Sequence, residues 1–135
     1  MGFCKWAALA VALTLASPGH AQDSAAASAA CDKLPTIAQS GCLEKLFNAA
    51  DAKLNEVYRG AVKTIEQSDS GDRAAWKAEL RKAQQAWIAF RDADCGALTA
   101  YEWGHGTGMG AATEQCMLEK TEARSRELEN RYRGR

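Results

Sequence analysis

The sequence lacks an excess of charge. Its 135 residues carry 17 lysines and arginines against 17 aspartates and glutamates, so there is no single-sign field of the kind that holds a protein on nucleic acid. It also lacks an apolar run of membrane-spanning length. The longest, Trp6 to Ala16 (WAALAVALTLA), has about half of the ~20 residues a helical span requires. Nowhere do β-branched residues alternate with polar ones, which excludes a sheet and leaves an all-α class. Histidine is scarce: of the two present, only His105 lies beyond residue 20. With no second histidine and no closely spaced cysteine pair, neither a metal nor another cofactor is expected.

What is present begins with an export leader. Lys5 gives positive charge, Trp6 to Ala16 is apolar, and Ser17 to Ala21 (SPGHA) ends in small residues. That order is the pattern of a cleavable signal, with the cut predicted after Ala21 and a periplasmic or secreted destination. Cys4 precedes the apolar run and cannot serve as a lipid attachment point, so the mature chain is expected to have no membrane anchor. Loss of residues 1 to 21 removes one lysine and no acid and leaves one net negative charge on roughly 110 residues, enough for one domain. Four cysteines remain, Cys31, Cys42, Cys95 and Cys116, an even number in an oxidising compartment. Two disulfides are expected.

Residues 22 to 30 (QDSAAASAA) are small, polar and low in complexity, and are expected to form a disordered lead-in to a domain spanning 31 to 135. Pro35 and Ser40-Gly41 punctuate an irregular stretch. Leu43, Leu46, Phe47, Ala50, Leu54, Val57, Tyr58, Ala61 and Ile65 then keep the three-and-four spacing of one helical face. Ser68 to Asp72 (SDSGD) is a turn rich in capping side chains. A second helix is expected from about Asp72 to about Tyr101 and a third from about Ala111 to Tyr132, joined by the glycine-rich link GHGTGMG. No strand precedes those glycines and no Lys-Ser or Lys-Thr follows them, so they make a connection and not a phosphate cradle. The third helix has a half-polar stripe (Leu118, Thr121, Ser125, Leu128, Tyr132) and is expected to be the most loosely held; its arginines alternate with glutamates as a solvated face. Short links favour antiparallel neighbours, so the fold predicted is a small antiparallel three-helix bundle with disulfides.

The stretch AQQAWIAFRDADC, residues 83 to 95, concentrates polar chemistry on a helix. If the first two helices form a hairpin turning near residue 70, Asp51, Asn55 and Tyr58 on one face meet Gln84, Trp87 and Arg91 on the other. Asp51 is then expected to pair with Arg91 or the Trp87 indole, and Asn55 with Gln84, making a structural seam that fixes register. Asp92 and Asp94 point to different sides of the helix, so no carboxylate pair, nucleophile or other catalytic constellation forms, and no enzyme is predicted.

The strings ADAKLNEVYRGA (50 to 61) and LRKAQQAWIAFRDADC (80 to 95) resemble the LprI-type domain, a family named after a lysozyme inhibitor and otherwise largely of unknown function. The resemblance rests on Cys42, Asp51, Leu54, Asn55, Tyr58, Gln84, Trp87, Arg91, Asp92, Cys95, Cys116, Thr121 and Arg124, and covers about residues 31 to 130. It departs from the lipoprotein members in having no cysteine after the signal to carry lipid. The resemblance implies a binding protein that inhibits lysozyme; the alternative is a periplasmic accessory or binding module for another envelope protein.

Two disulfide pairings are compatible with the spacing. The pairing expected is Cys31–Cys42 with Cys95–Cys116, which closes two short loops; the competing pairing, Cys42–Cys95 with Cys31–Cys116, also suits the hairpin register, and sequence does not settle the connectivity. The candidate contact surface is the loop from Tyr101 to Glu114, with Tyr101, Glu102, Trp103 and Glu114 as its aromatic and acidic members. Trp103 is open to two readings, an interface anchor or a core residue.

Overall fold

The computed structural model describes the backbone of residues 19 to 134 and the side chains of residues 25 to 134. Most of the expected leader, with Cys4, lies outside the described residues. The elements are α1 (Gly19–Cys31), α2 (Thr36–Glu66), α3 (Arg73–Ala93), a π-helical turn (Asp94–Leu98), α4 (Thr99–Glu102) and α5 (Met109–Tyr132). There is no strand among the described residues, and the class is all-α. None of the described helices is long and apolar enough to cross a membrane.

The long helices form an up-down-up bundle. Glu66 meets Lys77 at 2.7 Å and Asp51 meets Arg91 at 3.0 Å, so α3 runs antiparallel to α2. Gly110 lies against Ser40 and Glu129 pairs with Lys53, so α5 runs parallel to α2. The core is one cluster of Leu54, Ala61, Ile65, Leu80 and Leu128, flanked by Trp76, Trp87 and Tyr132, and a second of Cys31, Leu43, Ala111 and Leu118. Both clusters join α2 to α5.

That packing corrects the expectation of a loose third helix. Ala111, Leu118, Thr121, Arg124, Ser125 and Leu128 of α5 are all buried. The small polar members are the reason: Ser125 donates to the Thr121 carbonyl at 3.1 Å and Thr121 accepts from Arg91, so each is satisfied without solvent. Their size also lets α5 lie close to its neighbours.

Two further expectations are revised. The segment 22 to 30 is helical instead of disordered. Alanine is the best helix former, and the segment is tied down by the Cys31–Cys42 bridge and by Ser28, which donates to Gln115 at 2.7 Å. Second, α2 begins at Thr36 and passes through Ser40-Gly41 without a break. A mid-helix glycine costs only ~1 kcal/mol against alanine, and Cys42 and Leu43 one and two residues on are held in the second cluster.

The turn after α2 follows its sequence. The Ser68 hydroxyl donates to the Ile65 carbonyl at 2.7 Å, and Asp72 caps α3 by accepting from the Ala75 amide at 3.1 Å. At the far end of α3 the ladder widens into the π-helical turn around Gly96, and the Thr99 hydroxyl donates to the Asp94 carbonyl at 3.0 Å.

Candidate functional site

Arg91 is the centre of the polar seam. Its side chain is 8% exposed, and its guanidinium donates to Asp51 at 3.0 Å, Thr121 Oγ1 at 3.1 Å and Asp92 at 2.9 Å. The cation lies 5.3 Å from the Phe47 ring centroid and 5.2 Å from the Trp87 ring. The Asp51–Arg91 pairing is therefore present. Asn55 does not reach Gln84: it is exposed and donates to Asp51 within its own helix at 3.2 Å. Gln84 instead accepts from Arg124 Nε at 3.0 Å, and Arg124 also pairs with Glu127 at 2.7 Å and lies 5.8 Å from the Trp87 ring. Tyr58 packs on the Leu54 cluster and has no part in the polar network described.

The seam thus joins three helices, where a hairpin of two was expected. Thr121 and Arg124 are the members missing from the sequence-level seam. Each stands four residues before a buried neighbour, Thr121 before Ser125 and Arg124 before Leu128, and that spacing carried the signal, but charge alternation along the third helix read as a solvated face. No buried side-chain nitrogen or oxygen among the described residues lacks a hydrogen-bond partner. A satisfied network of this kind fixes packing.

The end of the bundle carrying α4 is different in character. Cys31 is bonded to Cys42 and Cys95 to Cys116, the short-loop pairing. The second bridge staples the π-helical turn to α5. From there Leu98, Tyr101 and Trp103 project with 49%, 75% and 54% exposure. Trp103 is on the surface, yet it is seated: a Cβ on Gly108 would stand 2.6 Å from its ring, so only glycine leaves room for the indole there. Gly104 and His105 hold positive φ angles of 57° and 54°, and the His105 ring meets Tyr101 edge-on at 5.2 Å. The glycine-rich link is a tight, built turn.

Beside Trp103 is an open cleft of about 370 Å³, lined among others by Asp94, Leu98, Glu102, Gln115, Cys116 and Glu119. Its chemistry is an aromatic wall with three carboxylates. Asp94 is held by Lys120 at 3.0 Å, and Gln115 donates to Glu119 at 2.6 Å. Asp94, Cys95 and Cys116 place ligand-type atoms within 4.8 Å of one another, but the two sulfurs are bonded to each other and offer no thiolate.

Glu114 is not part of this cleft. The expected loop ends early, because α5 starts at Met109 and takes Glu114 into its second turn. There the carboxyl is held above its ordinary range, first by burial and second by Glu44.

The comparisons with known proteins place this bundle, with its two local disulfides, satisfied arginine seam and aromatic, acidic end. The family model described as "Lysozyme inhibitor LprI" matches residues 26 to 128. The chain belongs to this family. It is 37% identical over 93 residues to uncharacterized protein R02472 of Rhizobium meliloti (strain 1021), a match covering 64% of this chain and 66% of that protein. It is 30% identical over 95 residues to uncharacterized protein YecT of Escherichia coli (strain K12), covering 65% of this chain and 59% of that one. The matched part is thus under two thirds of either relative's length. No solved structure matches the chain significantly. The family takes its description from a lysozyme inhibitor.

Proposed function

We propose that the chain is an exported inhibitor of lysozyme which binds through the α4 end. Family membership over residues 26 to 128 carries the reading. The disulfide pairs fit an oxidising compartment, where a cleavable leader would deliver the chain. The surface supports the partner class: lysozymes of the animal type are generally basic, and Glu102 and Glu119 beside an exposed Trp103 offer charge complementarity with an aromatic anchor. With little net charge on the whole chain, long-range attraction is weak and affinity has to come from these local contacts.

A second reading is an accessory module for another envelope protein. Lysis of bacterial cell walls by lysozyme, followed as turbidity with the purified disulfide-bonded protein added, separates the two. Slowed lysis at micromolar protein supports inhibition, and unchanged lysis at that concentration turns the assignment to the accessory reading.

A further inference from the structure

The face of α2 and α5 that points away from α3 contains an open groove of about 970 Å³. Its floor includes Leu46, Ala50, Val57, Ala61, Leu118 and Tyr132. Along one rim α2 presents Ala49, Lys53, Glu56 and Gly60; along the other α5 presents Glu122, Arg126, Glu129 and Arg133. α1 covers only the Cys42 end of this face, where Ser28 bonds Gln115.

We propose that this groove is the contact face of a two-fold symmetric, antiparallel dimer of the chain. The charge order of the rims is the argument. A two-fold axis crossing α2 midway between Lys53 and Glu56 puts Lys53 opposite Glu56 of the second copy, and Ala49 opposite Gly60 of the second copy. An axis crossing α5 midway between Arg126 and Glu129 puts those two opposite each other across the copies, and Glu122 opposite Arg133. Every rim charge then faces its opposite. The two crossing points also lie at one height along the bundle, because Leu54 and Leu128 share a core cluster and Lys53 Nζ is 3.6 Å from Glu129. One axis therefore serves both helices, as closed symmetry demands.

The result is a four-helix layer, two helices from each copy, with the groove floors as its centre. Ala49 against Gly60 lets the two α2 helices approach closely. The contacts that Lys53 and Arg126 make within one copy, at 3.6 and 3.7 Å, are longer than hydrogen bonds, so both cations retain donors for the second copy. The apolar floor supplies affinity and the rims supply register.

Sedimentation equilibrium on the full disulfide-bonded chain tests this. The expected mass is that of two chains at high micromolar concentration. A Cβ at Gly60 meets nothing within 4 Å, so Gly60→Arg is accommodated by the single chain yet blocks the groove; it should weaken the dimer at least ~10-fold. Lys53→Glu should weaken it, and Lys53→Glu with Glu56→Lys should restore it, since each residue faces the other across the axis. Should Gly60→Arg alter the circular dichroism, the charge-exchange pair decides. A single-chain mass up to millimolar concentration overturns the proposal, as does a dimer indifferent to these substitutions. A monomer whose lysozyme inhibition is lost in Gly60→Arg also overturns it, by giving the groove to the other protein.

Discussion

Arg91 Nη1 stands 3.0 Å from Asp51 Oδ1 across forty residues of sequence, and the two sit unequally, with the arginine side chain 8% exposed and the aspartate 40%. The inequality sets what each substitution should do. Arg91→Ala removes a buried cation together with its packing between Phe47 and Trp87, and should cost ~2–4 kcal/mol in chemical denaturation. Asp51→Asn should cost less, ~1 kcal/mol, because water screens that end of the pair and Asp92 still faces the guanidinium. Equal losses from the two substitutions would contradict the arrangement.

Arg91→Lys is expected to recover little. Lysine keeps the charge but not the planar fork that reaches Asp51, Thr121 and Asp92 together. Its denaturation midpoint should lie nearer that of Arg91→Ala than that of the unaltered chain; a midpoint at the wild-type value would assign Arg91 a purely electrostatic role.

Glu114 gives a pH signature. Its folded-state carboxyl is raised above its ordinary 4.5 by burial and by Glu44, so the folded chain binds its proton more tightly than the unfolded one. Stability from this group is present below the ordinary value and is lost as pH rises through the raised one. Glu114→Gln should therefore stabilise the chain at neutral pH and make no difference in acid, below the ordinary glutamate range. Thermal melts of the two proteins compared at both pH values check this; a difference that grows in acid has the wrong sign.

The seat of Trp103 is tested at Gly108. Gly108→Ala places a methyl group 2.6 Å from the indole ring and must move it. Because Trp103 is half in solvent, the expected result is a changed tryptophan emission with a melting temperature shifted by only a few degrees, about 1 kcal/mol. Loss of the cooperative melt would show that the indole supports the core.

Peptide mapping of the unreduced protein should yield fragments joining Cys31 to Cys42 and Cys95 to Cys116. Removing the second bridge with Cys95→Ser and Cys116→Ser frees a loop of 21 residues and should cost ~3 kcal/mol. A fragment joining Cys42 to Cys95 would contradict the fold at both ends.

Much of the fold was legible because apolar spacing reports helical faces directly. Leu43 to Ile65 marked the buried face of α2, and Ser68 to Asp72 marked the turn through its capping groups. The Asp51–Arg91 pairing was legible from the hairpin. The place of α5 was not, since Thr121, Arg124 and Ser125 are polar: the burial of the first two depends on partners supplied by α3, and Ser125 is satisfied by the Thr121 carbonyl of its own helix. Residues 22 to 30 misled for a related reason: composition reports what a segment can bury alone, whereas α1 is held by a bridge and by Gln115. Trp103 could not be placed from sequence, because its position depends on Gly108, five residues on.

The most direct test of the functional account is the inhibition of lysozyme by the double variant Glu102→Ala with Trp103→Ala, measured against the unaltered chain in the cell-wall lysis assay. Both residues are exposed, so helix content should be unchanged. The account predicts inhibition weakened at least ~10-fold, a cost of ~1.4 kcal/mol. An unchanged inhibition curve from a folded double variant would contradict it and move the binding site away from the α4 end.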